Sequence, residues 1–200
     1  MISERGDTIQ NIEIELTLKL ENPEILMKWL ESNATFVKET QQHDLYFDPP
    51  GKTFMFIDKD RYKDAHEWFR LRISDKGNEI CYKKWYRDDK DMSTYADEIE
   101  TIAGDEKQVL EILRRLGFRE ICVVKKHRKS WAYGNFHFDC DDIEGLGFFV
   151  EVEFKGHLNN PSKGKEKIIQ FLKQIGITNW KITKRGYVWM LWNPGKEWYE

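Results

Sequence analysis

The chain consists of stretches in which polar and apolar residues alternate, interrupted by three short segments where apolar residues recur every three or four positions. Asn11-Ile-Glu-Ile-Glu-Leu-Thr-Leu-Lys-Leu20 is the clearest alternating stretch. Its period of two places Glu13, Glu15 and Lys19 on one face of a strand. Similar patterns predict strands near 36–47, 68–74, 79–86, 95–102, 122–133, 135–140 and 148–154, with Tyr133-Gly134-Asn135 as a hairpin turn. The helical spacing predicts helices over 23–31, 106–116 and 163–175. Asn22 is placed to cap the first, with Pro23 at its first position; Asp105 caps the second, and Gly117 and Gly176 end the second and third. Each helix follows a strand bearing a Glu-x-Glu pair, a weak structural repeat. The stretch 49–67 reads as a loop holding a short strand at 54–57. No low-complexity linker divides residues 1–200, so one domain is expected.

Charge on the alternating faces is the distinctive feature. Besides Glu13 and Glu15, acid pairs recur as Glu98-Ile-Glu100 and Glu151-Val-Glu153, and cation pairs as Arg70-Leu-Arg72 and Lys126-His-Arg128. A lone Glu-x-Glu is most often a solvated strand face. Five such strands of both signs instead suggest a charged interior surface, which a barrel with a polar lumen would provide. Buried ions cost several kcal/mol each unless partnered, by general estimate. Either the charges pair with one another, or the site holds a ligand carrying both anionic groups and hard cations. Carboxylates favour Mg²⁺ or Mn²⁺, and Arg and Lys favour phosphate oxygens. A metal–polyphosphate complex satisfies both sets.

Composition narrows the partners. Two hundred residues with 14% aromatics, eight of them Trp, exclude a disordered chain. A net charge of −3 supplies no global field for nucleic acid. The basic run at Lys125–Lys129 splits by alternation, Lys126 and Arg128 to one face, Lys125, His127 and Lys129 to the other. No apolar run spans a bilayer and no secretory signal leads the chain; three scattered cysteines read as reduced thiols of a cytoplasmic protein. His43 and His137 have no partner at metal-ligand spacing and are assigned to packing or surface. Trp189, Trp192 and Trp198 are candidates for covering a tunnel mouth or forming a homodimer contact. A phosphate-loop glycine motif is missing, which excludes a P-loop NTPase.

Taken in order, these segments resemble the CYTH superfamily, also called triphosphate tunnel metalloenzymes. Glu13-x-Glu15 resembles its N-terminal signature, and Gln42-His-Asp-Leu-Tyr-Phe-Asp48 its second-strand motif. Phe69-Arg-Leu-Arg72, Ile80-Cys-Tyr-Lys83, Glu98-Ile-Glu100, Lys126-His-Arg128 and Lys184-Arg-Gly-Tyr187 resemble later ones. Asp141-Asp-Ile-Glu-Gly-Leu-Gly147 followed by Phe149-Val-Glu-Val-Glu153 is most similar to the class IV adenylate cyclase branch. The likeness covers residues 11–191. One position departs: Thr17 stands where the family signature has lysine, and Lys19 follows on the same face. Thr17 cannot give a cation to a phosphate, so that contact is lost or met from elsewhere.

The resemblance implies an α+β fold, an eight-stranded antiparallel β-barrel forming a triphosphate tunnel, with flanking helices. It implies phosphate contacts from Lys19, Arg70, Arg72, Lys83, Lys126, Arg128 and Arg185. Mg²⁺ or Mn²⁺ would be held by Glu13, Glu15, Glu151 and Glu153, with Asp141 supporting. Glu13, Glu15, Glu98 and Glu100 are the catalytic candidates. The expected partner is a small-molecule triphosphate, whether inorganic triphosphate, thiamine triphosphate or a nucleotide. Three activities follow: hydrolysis of the terminal phosphate, cyclisation of ATP to cyclic AMP and pyrophosphate, or binding without turnover.

Overall fold

Along the strand Glu15–Leu20 (β2), Leu16, Leu18 and Leu20 are buried while Glu15, Thr17 and Lys19 remain partly open. That division organises the molecule. The structure, a computed structural model, describes residues 12–87, 93–156, 161–196 and Tyr199; the side chain of Glu13 and all of Trp198 lie outside the described residues. The apolar side of the sheet packs beneath helices α1 (Pro23–Asn33) and α3 (Pro161–Gln174). The β2 leucines meet Leu26 and Leu30 of α1, and Ile168, Phe171 and Leu172 of α3. The opposite side carries the charges. The oil lies between sheet and helices, and the polar face is left for a site.

The remaining strands are β1 (Ile12–Glu13), β3 (Thr35–Asp48), β4 (Met55–Ile57), β5 (Lys63–Ala65), β6 (Glu67–Ser74), β7 (Asn78–Arg87), β8 (Ser93–Ala103), β9 (Arg119–Tyr133), β10 (Phe136–Ile143), β11 (Gly147–Phe154) and β12 (Trp180–Ile182). Ten of them form one antiparallel sheet in the order β1-β8-β7-β6-β3-β9-β10-β11-β2-β12, and β4 pairs with β5. The expected closed eight-stranded barrel is therefore corrected. The N-terminal strand breaks at Ile14, so β1 joins β8 while β2 joins β11. The other edge of β2 is taken by β12, with Trp180 opposite Leu20, and by a bond from the Thr183 amide to the Thr17 carbonyl.

The three expected helices form, with α2 at Glu106–Arg115. Asp105 caps α2 by accepting from the Gln108 amide at 2.9 Å. Asn22 stands before α1 but makes no side-chain capping bond, a correction to its expected role. Gly134, at φ +55°, makes the tight β9–β10 turn. A fourth helix, α4 (Tyr187–Trp192), was hidden because its residues are nearly all apolar and show no helical stripe. It packs on Val124, Ile143 and Phe149. Trp189 is buried in that cluster, and Trp192, half-buried, lies against Trp68, so both take part in internal packing. Among the described residues no helix is long and apolar enough to cross a membrane.

Candidate active site

Period-two alternation on eight strands brings charged side chains to one cavity of about 400 Å³. Glu15 comes from β2, Arg70 and Arg72 from β6, and Lys83 from β7. Glu98 and Glu100 come from β8, Lys126 and Arg128 from β9, and Glu151 and Glu153 from β11. Ten of the predicted site residues thus share one space. Tyr187 of α4 closes part of its wall. The basic run divides as its alternation predicts: Lys126 and Arg128 are buried, whereas Lys129 and His127 meet Glu39 outside.

The cations are held in a fixed array. Arg72 binds Asp44 through two bonds of 2.7 and 2.8 Å. Burial alone would raise the Asp44 pKa, but Arg72 and Lys126 hold it well below the usual carboxylate range. Arg128 donates to Asp141 twice at 2.6 Å, and to Asp139 and Glu151 at 2.5 Å. Burial works against its charge, yet Asp141, Glu151 and Asp139 keep it protonated. Lys126 lies 3.5 Å from Asp141 and 3.7 Å from Asp44; burial and the neighbouring Arg128 lower its pKa. Arg70 reaches Glu100 at 3.0 Å, and its buried Nε has no hydrogen-bond partner among the described residues.

The acids lie on the adjoining wall. Glu15 and Glu153 are direct cross-strand partners, and Glu151 stands opposite Thr17. Lys83 sits 2.9 Å from Glu98 and 3.4 Å from Glu15, and Lys155 is 3.0 Å from Glu153. Burial first, then Glu151, Glu98 and Glu153, push the Glu15 pKa up to about 7 against the pull of Lys83. Glu100 is raised by burial and Glu98. Burial would raise Glu151 too, but Arg128 and Lys126 bring it below its ordinary value.

Among the described residues, seven carboxylates and seven cations line the cavity, and Asp44 and Asp141 are buried behind it. Among these described residues the cations are already balanced, so a polyanion entering this space needs further positive charge. Glu15, Glu151 and Glu153 offer oxygen donors from adjacent strands. Oxygen donors of this kind are those Mg²⁺ or Mn²⁺ takes; among the described residues, the group whose ligand atoms lie within 4.8 Å of one another is Cys81, Glu98 and Glu100.

Three predicted residues lie elsewhere. Lys19 donates to the Leu146 carbonyl at 3.3 Å and covers the Phe149 ring. Arg185 is held by Asp64 at 3.2 Å and lines a smaller neighbouring pocket. Asp141 is fully buried beneath Arg128, Lys126 and Tyr187, where it orients cations. Glu13 pairs through its backbone with Ala96, and its side chain is outside the described residues.

Sequence reasoning missed Asp44, Asp139 and His137. His137 lies 3.2 Å from Asp139, and both line the cavity, in place of the packing or surface role expected for this histidine. The signal was present in the alternation of His137, Asp139 and Asp141, and of Gln42, Asp44 and Tyr46.

The pattern of the CYTH domain matches residues 11–187. A candidate adenylate cyclase of Methanocaldococcus jannaschii is 29% identical over 179 residues, covering 88% of this chain and 97% of its own. A Pyrococcus horikoshii OT3 protein of known structure is 27% identical with a TM-score of 0.68, over 90% of this chain and 97% of that one. A candidate adenylyl cyclase from Hippeastrum, with a dominant triphosphatase activity, has a TM-score of 0.62 at 17% identity, over 93% and 96% of the two chains. At that identity the likeness is one of fold.

Proposed function

The chain belongs to the CYTH domain family, and from that premise we propose that it is a divalent-metal-dependent hydrolase of the terminal phosphate of a small triphosphate. The observation that carries this reading is the convergence of Arg70, Arg72, Lys83, Lys126 and Arg128 with Glu15, Glu151 and Glu153 on one cavity. In this reading the eight cavity strands act as a tunnel wall, although their ladder is not closed.

Arg70, Arg72, Lys126 and Arg128 bind the phosphoryl oxygens, and the unused Nε of Arg70 has a donor to give. Asp44, Asp139 and Asp141 hold those cations in place before substrate arrives, so little reorganisation accompanies charge build-up. Glu15, Glu151 and Glu153, with Glu13 of β1, would hold Mg²⁺ or Mn²⁺, which supplies Lewis-acid neutralisation of the phosphates when bound. Glu98 and Glu100 orient the attacking water and take its proton while Lys83 and Arg70 fix their positions. Water displaces the terminal phosphoryl group in line, giving orthophosphate and the matching diphosphate. The free cysteines Cys81, Cys122 and Cys140 support a cytoplasmic setting.

The second reading is a class IV adenylate cyclase, in which the ribose 3′-hydroxyl attacks the α-phosphate and pyrophosphate leaves. The Methanocaldococcus jannaschii relative favours it by name. The lining favours hydrolysis: it is rich in charge for phosphates, and among its described members only Val37 and Trp85 are uncharged and non-titrating. Phosphorus NMR with Mg²⁺ or Mn²⁺ and inorganic triphosphate, thiamine triphosphate or ATP tests both. Orthophosphate plus a diphosphate supports the hydrolase; pyrophosphate with cyclic AMP replaces it by the cyclase. Tight binding with no new signal leaves a non-catalytic triphosphate-binding module.

A further inference from the structure

We propose that the substrate is an organic triphosphate whose organic group rests its apolar part on Val37 of β3, which makes Val37 a specificity-determining residue; this rests on the triphosphate reading above. The two uncharged lining residues, Val37 and Trp85, stand toward opposite ends of the cavity. Trp85 shares a small side pocket with Gly186, the residue before α4, and the Lys83 ammonium lies 4.5 Å from its ring centre. At that end α4 packs on Val124, Ile143 and Phe149, Trp68 stands between Tyr46 and Trp192, and Tyr187 donates to Asp141 at 3.1 Å. Helix and aromatic rings fill it. Val37 precedes Tyr46 by roughly 30 Å of strand and lies at the other mouth, beside Lys38 and His137.

A β-bulge puts it there. β3 advances two residues, from Phe36 to Lys38, while β9 advances one, from Trp131 to Ser130, so Val37 is the extra residue. Strict alternation from Lys38 would send residue 37 to the outer face. The bulge turns it onto the cavity wall instead, at the cost of regular ladder pairing, and leaves it 48% exposed. Ile102 adds a second aliphatic side chain at the same mouth. It continues the face of Glu98 and Glu100 on β8, pairs with the lining residue Glu79, and is 87% exposed. Phosphate and metal gain nothing from an aliphatic surface, whereas an apolar organic group does.

Calorimetric titration of the full chain in saturating Mg²⁺ with ATP, thiamine triphosphate and inorganic tripolyphosphate tests this. The readout is the Kd of the tighter organic triphosphate divided by that of tripolyphosphate. Val37→Ala and the equally shaped Val37→Thr are expected to raise this ratio about fivefold, and Ile102→Ser to raise it in the same direction. A general disturbance of the site would weaken all three ligands together and leave the ratio where it was. An unchanged ratio in both Val37 variants overturns the inference alone, as does a ratio that rises in Trp85→Ala but not in Val37→Ala. A wild-type protein that binds tripolyphosphate but neither organic triphosphate also overturns it alone. No binding of any of the three by the wild type overturns the triphosphate reading and this inference with it.

Discussion

Glu15 of β2 and Glu153 of β11 stand directly opposite each other across neighbouring strands, each with one lysine, Lys83 at 3.4 Å and Lys155 at 3.0 Å. Like charges in that relationship destabilise a sheet. Such an arrangement makes sense in a protein that completes its charge balance with a bound cation.

The pH dependence of the metal-free protein should reveal this. The Glu15 pKa is raised from 4.5 to about 7, chiefly by burial and then by Glu151, Glu98 and Glu153. A raised carboxyl pKa means the folded state holds the proton more tightly than the unfolded chain. Its contribution is therefore fully present below about 4.5 and lost as pH rises through about 7, by at most about 3 kcal/mol. Asp44 and Asp139, held low by their cations against burial, act only at more acid pH. Urea unfolding in EDTA between pH 5 and 8 should show falling stability in the wild type and a flatter profile in Glu15→Gln. A flat wild-type profile would contradict the assignment.

Removing both facing carboxylates should separate stability from metal binding. Glu15→Gln combined with Glu153→Gln is expected to melt higher than the wild type without metal and to lose the Mn²⁺-induced rise in Tm. It should weaken Mn²⁺ binding at least about tenfold. An undiminished Mn²⁺ shift would place the metal elsewhere.

Arg128 is the keystone of the cation array, touching Asp141, Asp139 and Glu151. Arg128→Ala leaves fully buried Asp141 without its double hydrogen bond and should cost about 3–5 kcal/mol in urea unfolding. Arg128→Lys keeps the charge but loses the fork and should fall between. A cost below about 1 kcal/mol would mean that Lys126 and Tyr187 suffice to hold Asp141.

Gly164→Ala should lower stability by about 1–3 kcal/mol, because its methyl meets Ile14 and α3 must retreat. A melting temperature equal to that of the wild type would show that the helix moves away at no cost.

Much of this was readable in one dimension because a strand has period two. Glu98 and Glu100, Arg70 and Arg72, and Lys126 and Arg128 share a face wherever their strands lie in the sheet, and the leucines of β2 share the other. The helix start at Pro23, the cap at Asp105 and the turn at Gly134 are equally local. α4 was not readable, since Tyr187–Trp192 has no polar side to reveal a period.

Partnership was decided in three dimensions. Register puts Asp44 opposite Arg72, Asp141 opposite Arg128 and Glu15 opposite Glu153, and no local pattern contains those numbers. Strand order let β12 occupy the edge of β2, so the sheet stayed open where alternation alone suggested a closed barrel. Arg185 went to Asp64 and Asp141 went beneath Arg128, because a buried charge takes the nearest geometrically suited partner. Periodicity chose which side chains face inward, as a property of the backbone. Which of them meet was settled by distances between segments far apart in the chain.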